Sequence, residues 1–265
     1  MTANAWHRGY LLALDTETTG TDPDLARIVT AAAIRLGPDT RAVHEWMAKP
    51  DIEIPQGAID IHGITNEVAQ RLGRPTVEVL GELLEFLATA ARTCTPVVGH
   101  NVVYDLTVID REARRHGLTM PALGPVIDTM VLDKHVWPYR KGSRRLTDVC
   151  ALYGITLAGA HDSTNDAYAS ARLAHRIACI AEQPASHRPD YTRVGQGNQY
   201  WEDVLVDVVD LDAAQVIWKA TQSASLQEYF RKTKPDAVVC GEFPVQSLPA
   251  GWSPTAVPDA VAVAS

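Results

Sequence analysis

Residues 10–20 have the sequence YLLALDTETTG, an apolar run that ends in two acidic residues. The run Tyr10 to Leu14 predicts a buried β-strand. Asp15 and Glu17 are two positions apart, so their side chains point to the same face of that strand. Two adjacent carboxylates repel each other, and both stay ionised at neutral pH only when a cation lies between them. Such oxygen ligands suit a hard divalent ion, so the segment predicts a metal site at the end of a strand.

The composition allows a full core and argues against broad binding to duplex nucleic acid. The chain has 265 residues, 46% of them hydrophobic, with a formal net charge of -8 and a sequence pI near 5.6. An acidic chain lacks the basic face that wraps a duplex, although a grip on a short single-stranded end is compatible with it. We expect a soluble, cytoplasmic protein, because the sequence shows no stretch of membrane-span length and no signal-type N-terminus.

The four cysteines predict neither a disulfide framework nor a zinc site. They form no Cys-x-x-Cys pair and no cluster with histidine along the sequence, which favours reduced and mostly buried thiols. Their positions are Cys94, Cys150, Cys179 and Cys240.

The order of the apolar runs predicts a mixed sheet with helices on both faces. Three strands joined by tight turns come first and indicate an antiparallel meander. Strands and helices then alternate. The predicted strands are 10–14, 28–36, 42–48, 96–99 and 125–128, and the predicted helices are 76–93, 103–116, 146–153 and 164–181.

The composition changes after residue 182 and divides the chain into two parts. A first domain covers residues 8–182, and a C-terminal extension covers residues 183–265. The extension begins with a linker rich in Pro, Gly, His and Arg, contains one predicted helix over 213–230, and ends in a disordered tail from Pro244. The helix residues expected to pack on the first domain are Val216, Ile217, Ala220 and Phe230.

Another acidic residue follows a second buried strand. Asp105 lies shortly after the apolar run 96–98, where the chain turns into a helix. Ligands in open α/β sheets bind beyond the carboxyl ends of strands, and the first and fourth strands of this chain each deliver an acid there. A surface aspartate on the helix is the alternative interpretation.

The segment HDSTND at residues 161–166 supplies the third acidic position. Five residues rotate by about 140° on an ideal helix, so His161 and Asp166 do not share a helical face. The spacing predicts a histidine on a loop and an aspartate in the first turn of a helix. Either Asp166 pairs with Ser163 in a capping box, or it binds a metal and leaves His161 free to take a proton from water.

Together the three segments resemble, in order and spacing, the motifs of the DnaQ-like 3′-5′ exonucleases, in the histidine variant called DEDDh. Further landmarks are the segments 61–65, 127–129 and 146–148. The resemblance covers roughly residues 8–182. One departure is Tyr104, where many relatives carry Phe.

The resemblance implies a fold, a reaction and a set of site residues. The fold is α/β and ribonuclease H-like, a mixed five-stranded sheet with helices on both faces, plus the C-terminal extension. The reaction is two-metal hydrolysis of phosphodiester bonds at the 3′ end of single-stranded or frayed DNA, with Mg²⁺ or Mn²⁺ as the two ions, releasing nucleoside monophosphates. His161 is the implied general base, so activity should fall in mild acid. The implied metal ligands, also counted as catalytic, are Asp15, Glu17, Asp105 and Asp166.

The candidate substrate-binding residues are Thr18, Thr19, His62, Trp137 and Arg140. Trp137 and Arg140 belong to the basic, aromatic-containing stretch 134–145, which we expect to guide an unpaired strand; a solvated loop is the alternative interpretation. His62 either touches the nucleotide, as a similar residue does in relatives, or is a loop histidine bonded to its own backbone.

The implied partners are single-stranded or 3′-terminal nucleic acid and, as a further candidate, a DNA polymerase. No interaction with a membrane is expected. Two alternatives remain open. One is an exoribonuclease that trims RNA ends, because the sequence identifies no residue that would contact a 2′-OH and so distinguish RNA from DNA. A non-catalytic module that docks onto a polymerase is the other, and the presence of all four acids together with His161 disfavours it.

Overall fold

A mixed β-sheet forms the centre of the fold. The computed structural model describes residues 5–157, 159, 161–189 and 200–255. The strands are β1 (Leu11–Thr18), β2 (Ile28–Leu36), β3 (Arg41–Lys49), β4 (Arg74–Pro75), β5 (Val97–Gly99) and β6 (Val126–Asp128). Their order across the sheet is β4-β3-β2-β1-β5-β6.

The α-helices of the described residues surround this sheet. They are α1 (Gln56–His62), α2 (Asn66–Leu72), α3 (Thr76–Arg92), α4 (Val102–Arg115), α5 (Thr129–Val136), α6 (Leu146–Leu152), α7 (Ser163–Ala181) and α8 (Val208–Thr233). Within the described ranges, no helix combines the length and the apolar character that crossing a bilayer requires.

The sheet topology confirms the predicted fold class. β1 pairs antiparallel with β2, and β2 antiparallel with β3, which is the predicted meander. β5 and β6 then add to β1 in parallel. A sixth, two-residue strand, β4, pairs with β3 at the edge, where Pro75 is tolerated because an edge strand can spare an N–H.

The two faces of β1 are covered by different helices, which decides where its polar residues point. Leu11 and Ala13 belong to the core beneath α7, whereas Leu12 and Leu14 belong to the core beneath α3 and α4. Alternation along the strand therefore turns Asp15 towards the α7 side. The α7 layer approaches closely because its buried face is rich in alanine: Ala167, Ala169, Ala171, Ala174 and Ala178.

The C-terminal extension caps the β6 edge of the sheet with α8. Gln215 is fully buried there, accepting a hydrogen bond from the Asp128 N–H (2.8 Å) and donating one to the Val126 carbonyl (2.7 Å). The Asp212 carboxylate accepts from the Val126 N–H at 3.0 Å. These contacts satisfy backbone groups that an uncovered edge would leave exposed.

The predicted packing face of α8 is wrong. Val216 and Ile217 are 44% and 68% exposed, Ala220 is exposed as well, and Phe230 is half-buried. The helix instead turns Leu211 into the core beneath α7 and Gln215 towards the unpaired backbone groups of the edge strand β6.

Residues 244–255, expected to belong to a disordered tail, lie against the first domain. Arg111 Nη2 donates to the carbonyls of Gln246 and Ser247 at 3.0 and 2.9 Å. Trp252 Nε1 donates to the Asp24 carbonyl at 3.2 Å. The rest of the tail, residues 256–265, and most of the predicted linker, residues 190–199, lie outside the described residues.

The cysteines are free thiols, as predicted, but most of them are not buried. Cys150 alone of the four is buried, Cys94 is exposed, and Cys179 and Cys240 are half-buried. The prediction of mostly buried thiols is wrong because these three residues lie at helix ends and loops rather than inside a layer.

Substitution of Gln215 tests whether α8 is part of the folded unit. Gln215→Ala leaves the Asp128 N–H buried without its partner, so we expect the free energy of unfolding to fall by about 1–3 kcal/mol. Val216→Ala, on the exposed face of the same helix, should change it by less than about 0.5 kcal/mol. Denaturant titration of both variants measures this, and equal losses would contradict the buried contact.

Candidate active site

Acidic side chains from three elements meet at the carboxyl end of β1. Asp15 and Glu17 lie on β1, Asp105 in the first turn of α4, and Asp166 in the first turn of α7. Asp105 and Asp166 are only 4% and 9% exposed. The charges of Asp105, Asp166 and Glu17 all act on Asp15, so the structure brings together the four acids that the sequence singles out.

Thr16 holds Asp105 in place from between the two acids of β1. Its backbone N–H and its hydroxyl both donate to Asp105 Oδ1, at 2.9 and 2.6 Å. The side chain of Thr16 points to the opposite face from Asp15, which is the face that α4 covers. Sequence reasoning missed this positioning residue, although the alternation of the strand places it next to α4.

The turn between β5 and α4 needs a left-handed residue, and Asn101 supplies it. Asn101 has φ 63° and ψ 35°, a conformation that asparagine adopts more readily than most residues. Its backbone N–H donates to Asp128 Oδ1 at 2.9 Å. Asn101 thus fixes the strand-to-helix turn that delivers Asp105.

His161 and Asp166 are placed as their spacing predicts, the histidine on a loop and the aspartate in the first helical turn. The capping-box alternative is wrong, because the N-cap is Asp162, whose carboxylate accepts from the Asn165 N–H at 3.0 Å. Asp166 Oδ2 instead accepts from the backbone N–H of His161 at 3.1 Å. Asp166 Oδ1 is buried and has no hydrogen-bond partner among the described residues.

Burial and mutual repulsion raise the pKa of every carboxyl group in this cluster. Burial first, and then the charges of neighbouring acids, raise the pKa of Glu17 to about 7 and that of Asp15 well above its usual value. Burial raises the pKa of Asp105 to about 7 despite its bonds from Thr16, and burial also raises the pKa of Asp166. The cluster therefore favours either protons or a bound cation.

The donor set fits a hard divalent cation. Glu17, His161 and Asp166 each place a possible ligand atom within 4.8 Å of the other two. Asp166 Oδ1 is a buried acceptor without a donor among the described residues, and apart from His161 the possible ligand atoms of the cluster are carboxylate oxygens, the atoms that Mg²⁺ and Mn²⁺ prefer.

His62 lies beside this cluster at the end of α1. Its Nδ1 accepts from the Ile64 N–H at 3.1 Å, as a backbone-bonded loop histidine would. Its Nε2 is buried with no hydrogen-bond partner in the described part of the chain. Burial and the nearby charge of His161 lower the pKa of His62, so a neutral ring with one unused nitrogen lies next to the site.

The predicted threonines are both engaged by the protein. Thr19 donates its N–H to the Arg27 carbonyl, and its hydroxyl accepts from the Arg27 N–H, each at 2.9 Å. The hydroxyl of Thr18 bonds to the Gly20 carbonyl and the Tyr104 hydroxyl. Tyr104 also donates to the Gly20 carbonyl. Tyr104, which departs from the family pattern, therefore holds the loop after β1 in place. Sequence reasoning missed this role.

The basic loop after α5 is held by a buried carboxylate. Arg140 Nη2 donates to Asp133 Oδ2 at 3.0 Å, and Arg144 bonds to the same fully buried Asp133. The guanidinium of Arg140 lies 5.9 Å from the centre of the Trp137 ring, and Trp137 packs on the core beneath α7. In this conformation both predicted substrate residues serve the loop itself, and their contact with a nucleic acid stays a prediction.

Residues 12–174 match the sequence pattern of the exonuclease family RNase_T. The chain belongs to this family. The match confirms the predicted DnaQ-like exonuclease domain and the ribonuclease H-like fold that the resemblance implies.

Curated relatives of the exonuclease domain include two DNA polymerase III proteins. The chain is 30% identical over 168 residues to DNA polymerase III PolC-type of Halalkalibacterium halodurans, covering 63% of this chain and 11% of that protein. It is 29% identical over 171 residues to the DNA polymerase III subunit epsilon of Aquifex aeolicus, covering 64% of this chain and 80% of the subunit. The chain therefore spans about a tenth of the PolC relative.

The fold also resembles that of E. coli exonuclease I, solved in complex with a dA16 oligonucleotide. The TM-score is 0.57 with 24% sequence identity, over 64% of this chain and 41% of that one. At this identity the likeness concerns the fold alone.

The raised pKa values predict that the metal-free protein becomes less stable as the pH rises. Between the ordinary pKa values of 3.8 and 4.5 and the folded-state value of about 7, the folded protein holds more protons than the unfolded chain. We expect the melting temperature in chelator to fall between about pH 5 and about pH 8, and Mg²⁺ to restore it most at the higher pH.

Asp105→Asn separates this effect from general acid sensitivity. Asparagine can still accept from Thr16 but carries no charge, so this variant should be more stable than wild type by about 1 kcal/mol or more at about pH 8 without metal. Asp236→Asn, an exposed site, should behave like wild type. Thermal melts at each pH measure this, and a melting temperature that rises with pH in chelator would overturn the prediction.

Proposed function

We propose that residues 8–182 are a metal-dependent 3′-5′ exonuclease domain, extended by residues 183–265, which contribute α8. The domain would remove nucleoside monophosphates from the 3′ end of single-stranded or frayed DNA. The observation that carries this proposal is the convergence of four acids, two buried and two half-buried, and one loop histidine at the carboxyl end of β1.

The four acids would hold two divalent ions, Mg²⁺ or Mn²⁺. When bound, these ions polarise the scissile phosphodiester and make water a better nucleophile. The chain's own contribution is to present carboxylates in a fixed arrangement. Hydrogen bonds from Thr16 orient Asp105, and the N–H of His161 orients Asp166. The ligand oxygens are therefore positioned before any ion binds.

His161 would act as the general base. It is exposed, lies in a left-handed turn with φ 64°, and has its backbone tied to Asp166. The side chain can therefore reach a water molecule at the acids while the main chain keeps it within a fixed radius. Its ring nitrogen would accept the proton as the water attacks the phosphorus.

The 3′-terminal nucleotide would lie beside His62 and the loop pinned by Tyr104. His62 Nε2 is a buried, unused hydrogen-bonding nitrogen at the rim of the acids, which suits a contact with the sugar or the phosphate. DNA is the proposed substrate because the relatives are named as DNA polymerase III proteins and exonuclease I is described with a DNA oligonucleotide. On the same ground we propose a DNA polymerase as a partner and the cytoplasm as the location.

Activity measurements on site variants test the proposed chemistry. With a 5′-labelled single-stranded DNA and Mg²⁺, we expect stepwise shortening that Asp15→Asn abolishes, because Asp15 would be one of the carboxylates that hold the ions. His161→Gln should lower kcat by about 10²–10⁴-fold, since the proton acceptor is gone. His116→Gln, an exposed site at the end of α4, serves as the matched control and should keep full activity.

Measurement of metal binding distinguishes an exonuclease from a docking module, because a docking module need not bind divalent ions. Calorimetry should show Mg²⁺ or Mn²⁺ binding to wild type and to His161→Gln, but weakened binding to Asp15→Asn. Wild-type protein that binds these ions and shortens neither DNA nor RNA would refute the enzymatic proposal.

Matched DNA and RNA oligonucleotides of one sequence test the substrate class. We expect the DNA to be shortened about tenfold faster or more, a difference of about 1.4 kcal/mol in transition-state stabilisation. Equal or faster shortening of RNA would replace the DNA proposal with the exoribonuclease alternative.

A further inference from the structure

A second group of metal-ligating side chains lies at the opposite end of β1 from the acids. His7 belongs to a short 3₁₀ helix that precedes β1, and Cys179 and Glu182 lie at the end of α7. Each of the three places a ligand atom within 4.8 Å of the other two. His175 lies one helical turn before Cys179, and both of its ring nitrogens are 3.6 Å from the Cys179 Sγ.

The buried member of this group, His7, has one ring nitrogen without a partner. His7 is 4% exposed, and its Nδ1 forms no hydrogen bond among the described residues. Its Nε2 lies 3.2 Å from Glu182 Oε1, an ion-pair contact. Buried polar nitrogens are rarely left unsatisfied in native structures.

Two of the distances in this group match edges of a tetrahedral zinc site. With Zn–N and Zn–O bonds near 2.0 Å and a Zn–S bond near 2.3 Å, a tetrahedron has N–O edges of about 3.3 Å and N–S edges of about 3.5 Å. The separation of His7 Nε2 from Glu182 Oε1 is 3.2 Å, and that of His175 from Cys179 Sγ is 3.6 Å. A mixed nitrogen, sulfur and oxygen set selects Zn²⁺ over Mg²⁺.

We propose that His7, Cys179 and Glu182 bind one Zn²⁺ ion, and that His175, which contacts Cys179 but lies outside this set of mutually close ligand atoms, is the fourth ligand. Binding releases the thiol proton of Cys179 to solvent. Arg8 donates to Glu182 Oε2 at 2.7 Å, which leaves Oε1 for the ion and orients the carboxylate. The ion would join the N-terminal 3₁₀ helix to the end of α7. This site is separate from the acids of the proposed exonuclease and does not depend on that activity.

Cobalt spectroscopy on the full-length chain tests the site without an activity assay. Chelator-treated protein in excess Mg²⁺, which fills the carboxylate site but does not favour thiolate, is titrated with Co²⁺. We expect a thiolate-to-Co²⁺ charge-transfer band that one equivalent of Zn²⁺ removes. Cys179→Ser should lose the band, whereas Cys240→Ser, another half-buried thiol, should keep it.

Ligand variants and stability complete the test. His175→Gln and Glu182→Gln should weaken Co²⁺ binding by at least about tenfold. Zn²⁺ should raise the melting temperature of wild type but not of Cys179→Ser, and the two proteins should melt alike in chelator, which shows that the variant folds. Absence of the band in wild type, or its survival in Cys179→Ser, would overturn the proposal.

Discussion

Electrostatic repulsion among the four clustered carboxylates is the main constraint that this fold has to satisfy. Four acids share one end of the sheet, and burial raises the pKa of each. The fold opposes this repulsion with a few directed hydrogen bonds, from Thr16 to Asp105 and from His161 to Asp166. These donors fix positions without neutralising charge, so the cluster keeps its affinity for cations.

A rigid scaffold is needed to hold like charges together, and small residues provide it. Ala31, Ala32 and Ala33 of β2 are fully buried between the layers, and the alanine-rich face of α7 packs closely over β1 and β2. Short side chains shorten the distance between helix and sheet, which brings the first turn of α7, with Asp166, within reach of the acids on β1. At the β6 edge of the sheet, side chains of α8 form hydrogen bonds with the backbone of β6.

The two ends of β1 differ in their ligand chemistry. Oxygen atoms dominate at the carboxyl end, where the proposed divalent ions would be held weakly enough to exchange. At the other end, imidazole, thiol and carboxylate groups join two segments that are distant in the sequence. Softer ligands bind Zn²⁺ tightly enough to contribute folding energy, so the proposed Zn²⁺ ion would stabilise the domain rather than act on substrate.

Local patterns in the sequence were sufficient for the antiparallel meander and for the strand ends and helix starts that carry the four acids. These features follow from short-range rules, such as alternation on a strand or rotation along a helix. The order of the strands and the short edge strand β4 were not predicted, because they depend on how distant segments pair. The inward face of α8 could not be predicted, because Gln215 is drawn inwards by unpaired backbone groups of β6, a strand nearly ninety positions away. The cluster around Cys179 could not be predicted for the same reason. His7 precedes β1, whereas Cys179 and Glu182 lie at the end of α7. Contacts of that kind depend on how distant elements pack, and only the tertiary structure determines them.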